Sequence, residues 1–218
     1  MDRRKMMECF NEFPIYGITA EALSAGRSNM EVVQEMLEGG ICLVQYREKT
    51  KSARQRYQEC LVLKELVHSY GAVFIVDDFV DLALAVDADG VHIGQDDLPP
   101  EAVRRLLGPD KVIGWSTHNP AQLQAANRLA GIIDYVGCGP VFATNTKAGA
   151  VPVGLEYIKY AKENTALPFV AIGGIKECNI QDVREAGATN VCAVSEIVSA
   201  ENIRGKVLEM AGLMGWVK

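Results

Sequence analysis

The feature that most constrains the fold is a regular alternation of short apolar segments with segments of helical periodicity. Eight apolar segments, each rich in β-branched or aromatic residues, recur along the 218-residue chain, as strands of a buried sheet do. They read FPIYGIT, ICLVQYR, AVFIVDD, GVHIGQ, KVIGWST, DYVGCGPVF, PFVAIGG and NVCAVSEI. Because apolar strands that alternate with helices pair in parallel and are covered on both faces, the pattern predicts an α/β protein.

Helices are predicted in the intervals between these strands. The helical spacing covers residues 30–37, 53–67, 121–129, 155–161 and 180–186. Asn119 and Pro120 provide an N-cap and a proline at the first helical position, and Gly187 ends a helix before the last strand.

The count of eight units favours a closed barrel. Eight units in 218 residues leave about 27 residues for each, which is enough for a single (β/α)8 TIM barrel. We predict one domain over residues 1–218, with residues 1–12 and 212–218 peripheral to it. An open doubly wound sheet is the rival fold, but its glycine-rich turn after the first strand is absent here.

Composition narrows the classes of partner. The formal net charge of -6 provides no general attraction to nucleic acid or anionic lipid, so neither is a predicted partner. Six cysteines are scattered without a CxxC pair, which predicts reduced thiols and argues against a zinc site. No apolar run approaches ~18 residues, so a cytoplasmic protein is predicted. A monomer and a homo-oligomer are both compatible with the sequence.

Polar residues follow the strands at the end where a parallel barrel places its active site. In the second strand, alternation places Gln45, Arg47 and Lys49 on one face and Tyr46 and Glu48 on the other. The first face continues the apolar stripe that fills the barrel, so two cations lie at its mouth. They could pair with neighbouring carboxylates, but a phosphate group is the better partner at this position.

Acidic residues follow the third and fourth strands. Mg²⁺ prefers one or two carboxylates together with substrate phosphates and water, and Asp78 and Asp97 could supply them. The alternative is that both aspartates cap the helices that follow.

A second anion site is predicted after the seventh and eighth strands. There, Gly173 and Gly174 permit close approach to a phosphate and Ser195 adds a hydroxyl. The long loop that contains Lys147 suits a lid. His92, inside the fourth strand, is predicted to be a core histidine, whereas the role of His118 at a strand end stays open.

Five stretches at these strand ends, in order along the chain, resemble the thiamin phosphate synthase family. They read QYREK, VDDFVDLALAVDADGVHIGQDDL, GWSTHN, YVGCGPVFATNTK and AIGGI, and the resemblance runs from Ile15 to Ile197. It implies a barrel transferase that joins a hydroxymethylpyrimidine diphosphate to a thiazole phosphate, releases pyrophosphate and uses Mg²⁺.

The resemblance also implies roles for individual residues. Arg47, Lys49 and Lys147 would be catalytic, and Asp78 and Asp97 would hold the metal. The implied pyrimidine diphosphate site consists of Gln45, Tyr46, Arg47, Glu48, Lys49, Asp77, Ser116 and Lys147. The implied thiazole phosphate site consists of Thr144, Asn145, Thr146, Gly174, Val194 and Ser195.

One position departs from the family pattern, which commonly has asparagine where this chain has Asp77. An extra anion there would weaken contact with a diphosphate unless it touches the metal or pairs with a lysine. The competing functions are a thiazole tautomerase of the same fold, a non-catalytic thiamin phosphate sensor and a sugar phosphate isomerase. The first would not need Arg47 and Lys49, and the last would need a strand-end acid or base in place of the aspartate pair.

Overall fold

The strands form an eight-stranded parallel sheet that closes into a barrel. A computed structural model describes residues 2–144 and 151–217. Within these residues the strand order is β1 to β8 with consecutive strands paired in parallel. Closure comes from the segment before β1: Tyr16 N donates to Val191 O at 2.9 Å and Val191 N donates to Pro14 O at 2.9 Å. The predicted TIM barrel is therefore confirmed.

Each of the eight strands lies within its predicted segment. The strands are β1 (Gly17–Ile18), β2 (Leu43–Tyr46), β3 (Val73–Asp77), β4 (Gly90–Ile93), β5 (Val112–Thr117), β6 (Tyr135–Cys138), β7 (Phe169–Ile172) and β8 (Asn190–Cys192). The strands are two to six residues long, and each covers the part of its segment that pairs with a neighbouring strand.

The helices occupy the intervals, and all five predicted helices are present. They are α1 (Arg3–Glu12), α2 (Asn29–Glu38), α3 (Ala53–Ser69), α4 (Val80–Ala85), α5 (Pro100–Leu107), α6 (Pro120–Arg128), α7 (Gly154–Asn164), α8 (Ile180–Glu185), α9 (Val194–Val198) and α10 (Ile203–Leu213). A short 3₁₀ turn, Glu21–Leu23, precedes α2. The Asn119 cap is confirmed, since its side chain accepts a hydrogen bond from Gln122 N at 3.0 Å.

Two apolar layers hold the barrel together. One lies between the strands and the surrounding helices, and the other fills the barrel interior. Helix α1 belongs to the interior layer, because Met6, Cys9 and Phe10 are buried against side chains such as Leu43 and Val73. These contacts lie at the amino-terminal ends of the strands, so α1 closes that end of the barrel.

The prediction that the two terminal segments are peripheral is wrong for the parts described. Residues 3–12 fold as α1 and plug the barrel. At the other end of the chain, Met214 is buried, the indole of Trp216 packs edge-on to Phe13 at 5.1 Å and its Nε1 donates to Glu12 O at 3.1 Å. Polar residues interrupt the buried face of α1, so no apolar run in the sequence indicates that this helix is buried.

No helix within residues 2–144 and 151–217 combines the length and the apolar character that a membrane crossing requires.

Candidate active site

A cavity of about 360 Å³ opens at the carboxyl ends of the strands. Every strand contributes to its wall, which places the cavity where parallel barrels carry their active sites. Its lining includes Tyr16, Gln45, Asp77, His92, Ser116, Gly137, Ile172 and Cys192. A volume of this size suits a small-molecule ligand.

The predicted face of β2 lines this cavity. Gln45 is 3% exposed, and its Nε2 donates to Tyr16 Oη at 3.1 Å on the cavity floor. Arg47 and Lys49 follow at the rim, with side chains 23% and 38% exposed. The amide is thus held in the interior and the two cations are accessible to a ligand.

The side chains of Tyr46 and Glu48 do not line the cavity, so the structure does not bring them together with Gln45, Arg47 and Lys49. The hydroxyl of Tyr46 donates to Glu59 Oε2 on α3 at 2.6 Å. Glu48 Oε1 accepts from Asn29 Nδ2 at 3.0 Å and from Glu21 N at 2.9 Å. The two-residue period of the strand turns both side chains toward the helices, where they anchor the second unit of the barrel.

Asp77 pairs with both rim cations. Its Oδ2 lies 2.8 Å from Lys49 Nζ and 3.6 Å from Arg47 Nε, and Lys49 also contacts Asp78. The sequence predicts that an aspartate here weakens contact with a diphosphate unless it touches the metal or pairs with a lysine. Asp77 does pair with a lysine. Burial, and then the negative charge of Asp78, raise the pKa of the Asp77 carboxyl to about 6, against the opposing effects of Lys49 and Arg47.

Replacing Asp77 with asparagine is expected to stabilise the protein at neutral pH. The pKa of Asp77 is higher in the folded protein than in the unfolded chain, so ionisation of this carboxyl destabilises the folded protein. The free energy of unfolding therefore falls as the pH rises from about 4 to about 6. Asp77→Asn avoids this cost, so its free energy of unfolding at pH 8 should exceed that of the wild type by about 1–3 kcal/mol.

Chemical denaturation at pH 4 and pH 8 measures this effect. The gain should be larger at pH 8, and the exposed Asp110→Asn variant should show no such gain. A gain of equal size at both pH values would contradict an ionisation cost at Asp77.

Asp78 and Asp97 both line the cavity. Neither caps the following helix: α4 has Phe79 and α5 has Pro99 at the N-cap, and neither helix has a side-chain cap. Asp97 Oδ2 instead accepts from Gly94 N at 2.6 Å, which orients its carboxylate at the rim. Two carboxylates from adjacent strand ends are a donor set that fits Mg²⁺ bound together with a phosphorylated ligand.

The cavity floor contains a hydrogen-bonded network that the sequence analysis missed. The hydroxyls of Tyr16 and Tyr135 lie 2.7 Å apart, and His92 Nδ1 is 3.0 Å from Tyr135 Oη. His92 Nε2 is 2.9 Å from Ser116 Oγ, so the network extends to a predicted substrate-binding hydroxyl.

The prediction of His92 as a core histidine is therefore incomplete, because its partly exposed ring lines the cavity as well as being hydrogen-bonded. The sequence did indicate that His92 faces the barrel interior, because alternation along β4 places Gly90 and His92 on the same face. His118 also lines the cavity, and its Nδ1 lies 2.5 Å from Gly139 O.

The opposite wall is formed by the ends of β7 and β8. Gly173 and Gly174 adopt positive φ angles of 100° and 63°, which glycine adopts at little cost. Thr144, Val194 and Ser195 line the same wall. The cavity therefore brings together this predicted phosphate site and the rim cations. The predicted site residues Asn145, Thr146 and Lys147 lie outside the described residues.

A closed parallel barrel whose carboxyl-end cavity combines cations, carboxylates and a glycine-lined wall defines a class of barrel enzymes that act on small phosphorylated molecules. A family model described as thiamine monophosphate synthase matches residues 15–197. The chain belongs to this family, whose members are transferases.

Individual relatives agree with this placement. The chain is 53% identical over 215 residues to a thiamine-phosphate synthase of Pelotomaculum thermopropionicum, with 98% of each chain covered. It is 50% identical to a thiamine-phosphate synthase of Caldicellulosiruptor bescii, covering 95% and 94% of the two chains. The solved thiamine phosphate pyrophosphorylase of Pyrococcus furiosus superposes with a TM-score of 0.85 at 35% identity, covering 94% of this chain and 97% of that one.

Proposed function

We propose that this chain is a thiamine-phosphate synthase, which joins hydroxymethylpyrimidine diphosphate to a thiazole phosphate and releases pyrophosphate. The observation that supports this activity best is the placement of Arg47 and Lys49 at the same rim as Asp78 and Asp97. A diphosphate leaving group needs cations at the point where its charge develops, and this rim provides them.

The protein needs no nucleophile for this reaction. The bond between the pyrimidine methylene carbon and the diphosphate oxygen breaks, the electron pair leaves with pyrophosphate, and the thiazole nitrogen then bonds to the methylene carbon. Arg47 and Lys49 stabilise the departing charge, and both are already turned toward the cavity by the period of β2. Lys147 is proposed to add a third cation.

Asp78 and Asp97 are the residues that would hold Mg²⁺, which would neutralise charge on the diphosphate oxygens. The side chain of Lys49 contacts both Asp77 and Asp78. We expect a bound diphosphate to attract Lys49 away from Asp78, which frees that carboxylate.

The wall formed by β7 and β8 is proposed to bind the phosphate of the thiazole substrate. Gly173 and Gly174 allow the ligand to approach the backbone closely, and Ser195 and Thr144 supply hydroxyls at the same wall. Because this wall and the rim cations line one cavity, the two rings can be held in line for transfer.

The competing functions use less of this site. A thiazole tautomerase needs only the phosphate wall, so Arg47 and Lys49 would have no ligand. A sensor of thiamin phosphate has no reason to keep two rim carboxylates beside two cations, since it transfers nothing. A sugar phosphate isomerase would need a strand-end acid or base in place of the aspartate pair.

The purified protein is expected to form thiamin phosphate and pyrophosphate from the two substrates only when Mg²⁺ is present. Asp78→Asn and Asp97→Asn should each raise the Mg²⁺ concentration for half-maximal activity by about tenfold or more. Asparagine suits both positions, because it tolerates the φ of 60° at Asp78 and keeps an acceptor for Gly94 N at Asp97.

Asp81→Asn is the matched control, since Asp81 is exposed on α4 and does not line the cavity. Its metal requirement should equal that of the wild type. Product formation at full rate after removal of all divalent metal would refute the assigned role of the two aspartates. Thiazole isomerisation without condensation would instead favour the tautomerase.

A further inference from the structure

Three potential metal ligands meet at the end of the barrel opposite the active site. Cys9 Sγ, Cys42 Sγ and a carboxylate oxygen of Glu12 all lie within 4.8 Å of one another. Cys42 immediately precedes β2, so it lies at the amino-terminal end of the strand whose other end carries Arg47 and Lys49. The cluster is therefore separate from the proposed catalytic machinery.

The local structure explains how the three side chains come together. Cys9 and Glu12 are three residues apart on α1, so they occupy the same face of this helix. The burial of Met6 and Phe10 presses α1 against the barrel interior and brings that face over the start of β2. Cys42 Sγ then donates to Cys9 O at 3.3 Å.

The two thiols adjoin a small space whose other walls are mainly apolar and which Glu12 does not line. Both thiols line a cavity of about 10 Å³, which is roughly the volume needed for one water molecule. Cys9 is 6% exposed and Cys42 is partly buried, whereas Glu12 is exposed at the edge. Solvent can therefore supply a fourth ligand on the side of Glu12, which would complete a tetrahedron.

The charge of Glu12 also favours a cation. Two thiolates beside this carboxylate would repel one another, and a divalent cation would offset this repulsion.

We propose that Cys9, Cys42 and Glu12 form a site for a thiophilic divalent cation of the zinc class. Two thiolates and one carboxylate are ligands that zinc accepts, whereas Mg²⁺ avoids sulfur. Binding forms two metal–sulfur bonds and one metal–oxygen bond, and the protons of the two thiols pass to the solvent. The absence of a CxxC pair argued against a zinc site, but the tertiary structure assembles a ligand set from cysteines that are 33 positions apart in the chain.

Cobalt(II) is the probe that tests this site. The reduced full-length protein, titrated with Co²⁺ in the presence of a phosphine reductant and excess Mg²⁺, should bind one equivalent. Binding should produce the near-ultraviolet absorption of thiolate-to-cobalt charge transfer, which Zn²⁺ should abolish. Cys9→Ser and Cys42→Ser should each remove this absorption, and Glu12→Gln should weaken Co²⁺ binding by roughly tenfold or more.

Cys178→Ser is the matched control, because Cys178 is exposed and does not belong to the cluster. Its Co²⁺ titration should match that of the wild type. Since Glu12 is exposed, Glu12→Gln tests the site even if a buried cysteine variant folds poorly. Absence of charge-transfer absorption in the reduced wild type, or its persistence in both cysteine variants, would overturn the proposal. Formation of only a Cys9–Cys42 disulfide, with no metal bound by the reduced protein, would also overturn it.

Discussion

Replacing Arg47 with methionine is expected to lower kcat/KM by about 10²- to 10³-fold while the protein remains folded. Methionine keeps most of the length and apolar surface of the side chain but removes the charge and all donors. Under the proposed mechanism the lost interaction is strongest when negative charge collects on the leaving diphosphate. The effect should therefore appear mainly in kcat.

Single-turnover measurements of pyrophosphate release test this expectation. Arg54→Met is the matched control, because Arg54 is exposed on α3 and does not line the cavity. The control should retain the wild-type rate, and both variants should have the circular dichroism spectrum of the wild type. A rate for Arg47→Met within a factor of about two of the wild type would remove Arg47 from the mechanism.

Gly114→Ala is expected to lower the free energy of unfolding by about 3–5 kcal/mol, the largest effect on stability that we predict. Gly114 lies in β5 between its register partners His92 and Tyr135. A Cβ atom there would lie 2.2 Å from Tyr135 Cζ and 2.4 Å from His92 Nδ1. Both rings are held in the cavity-floor network, so relieving the clash would also break buried hydrogen bonds.

Chemical denaturation monitored by circular dichroism measures this loss. Gly212→Ala provides a control of opposite sign, since a Cβ atom at this position of α10 meets nothing within 4 Å. That variant should gain about 0.5–1 kcal/mol through the higher helix propensity of alanine. Equal stabilities for Gly114→Ala and the wild type would show that the floor can rearrange around a methyl group.

The barrel and one face of its active site could be predicted because each depends on a local period. The eight strand segments are recognised from their own residues, and their number accounts for closure. In the same way, a period of two residues places Gln45, Arg47 and Lys49 on one face of β2 whatever the neighbouring strands contain. This face is predicted to line the barrel interior because it continues the apolar stripe that fills the barrel.

A family motif that is carried over as a block includes side chains that do not line the cavity. Tyr46 and Glu48 belong to the same five-residue stretch as the rim cations, but the strand turns them toward α3 and α2. Proximity along a strand is therefore poor evidence for a shared site, because adjacent side chains point to opposite faces.

The features that the sequence could not predict depend on contacts between residues far apart in the chain. Tyr16 and Tyr135 are 119 positions apart, and their hydroxyls meet only because strand register and barrel closure bring them to one level. The position of α1 has the same origin, since the apolar residues that plug the barrel are too few to stand out in the sequence. Local periodicity thus establishes which elements form and which way their side chains point. Packing of the closed barrel establishes which of those side chains meet, because no short-range pattern encodes the distance between separate elements.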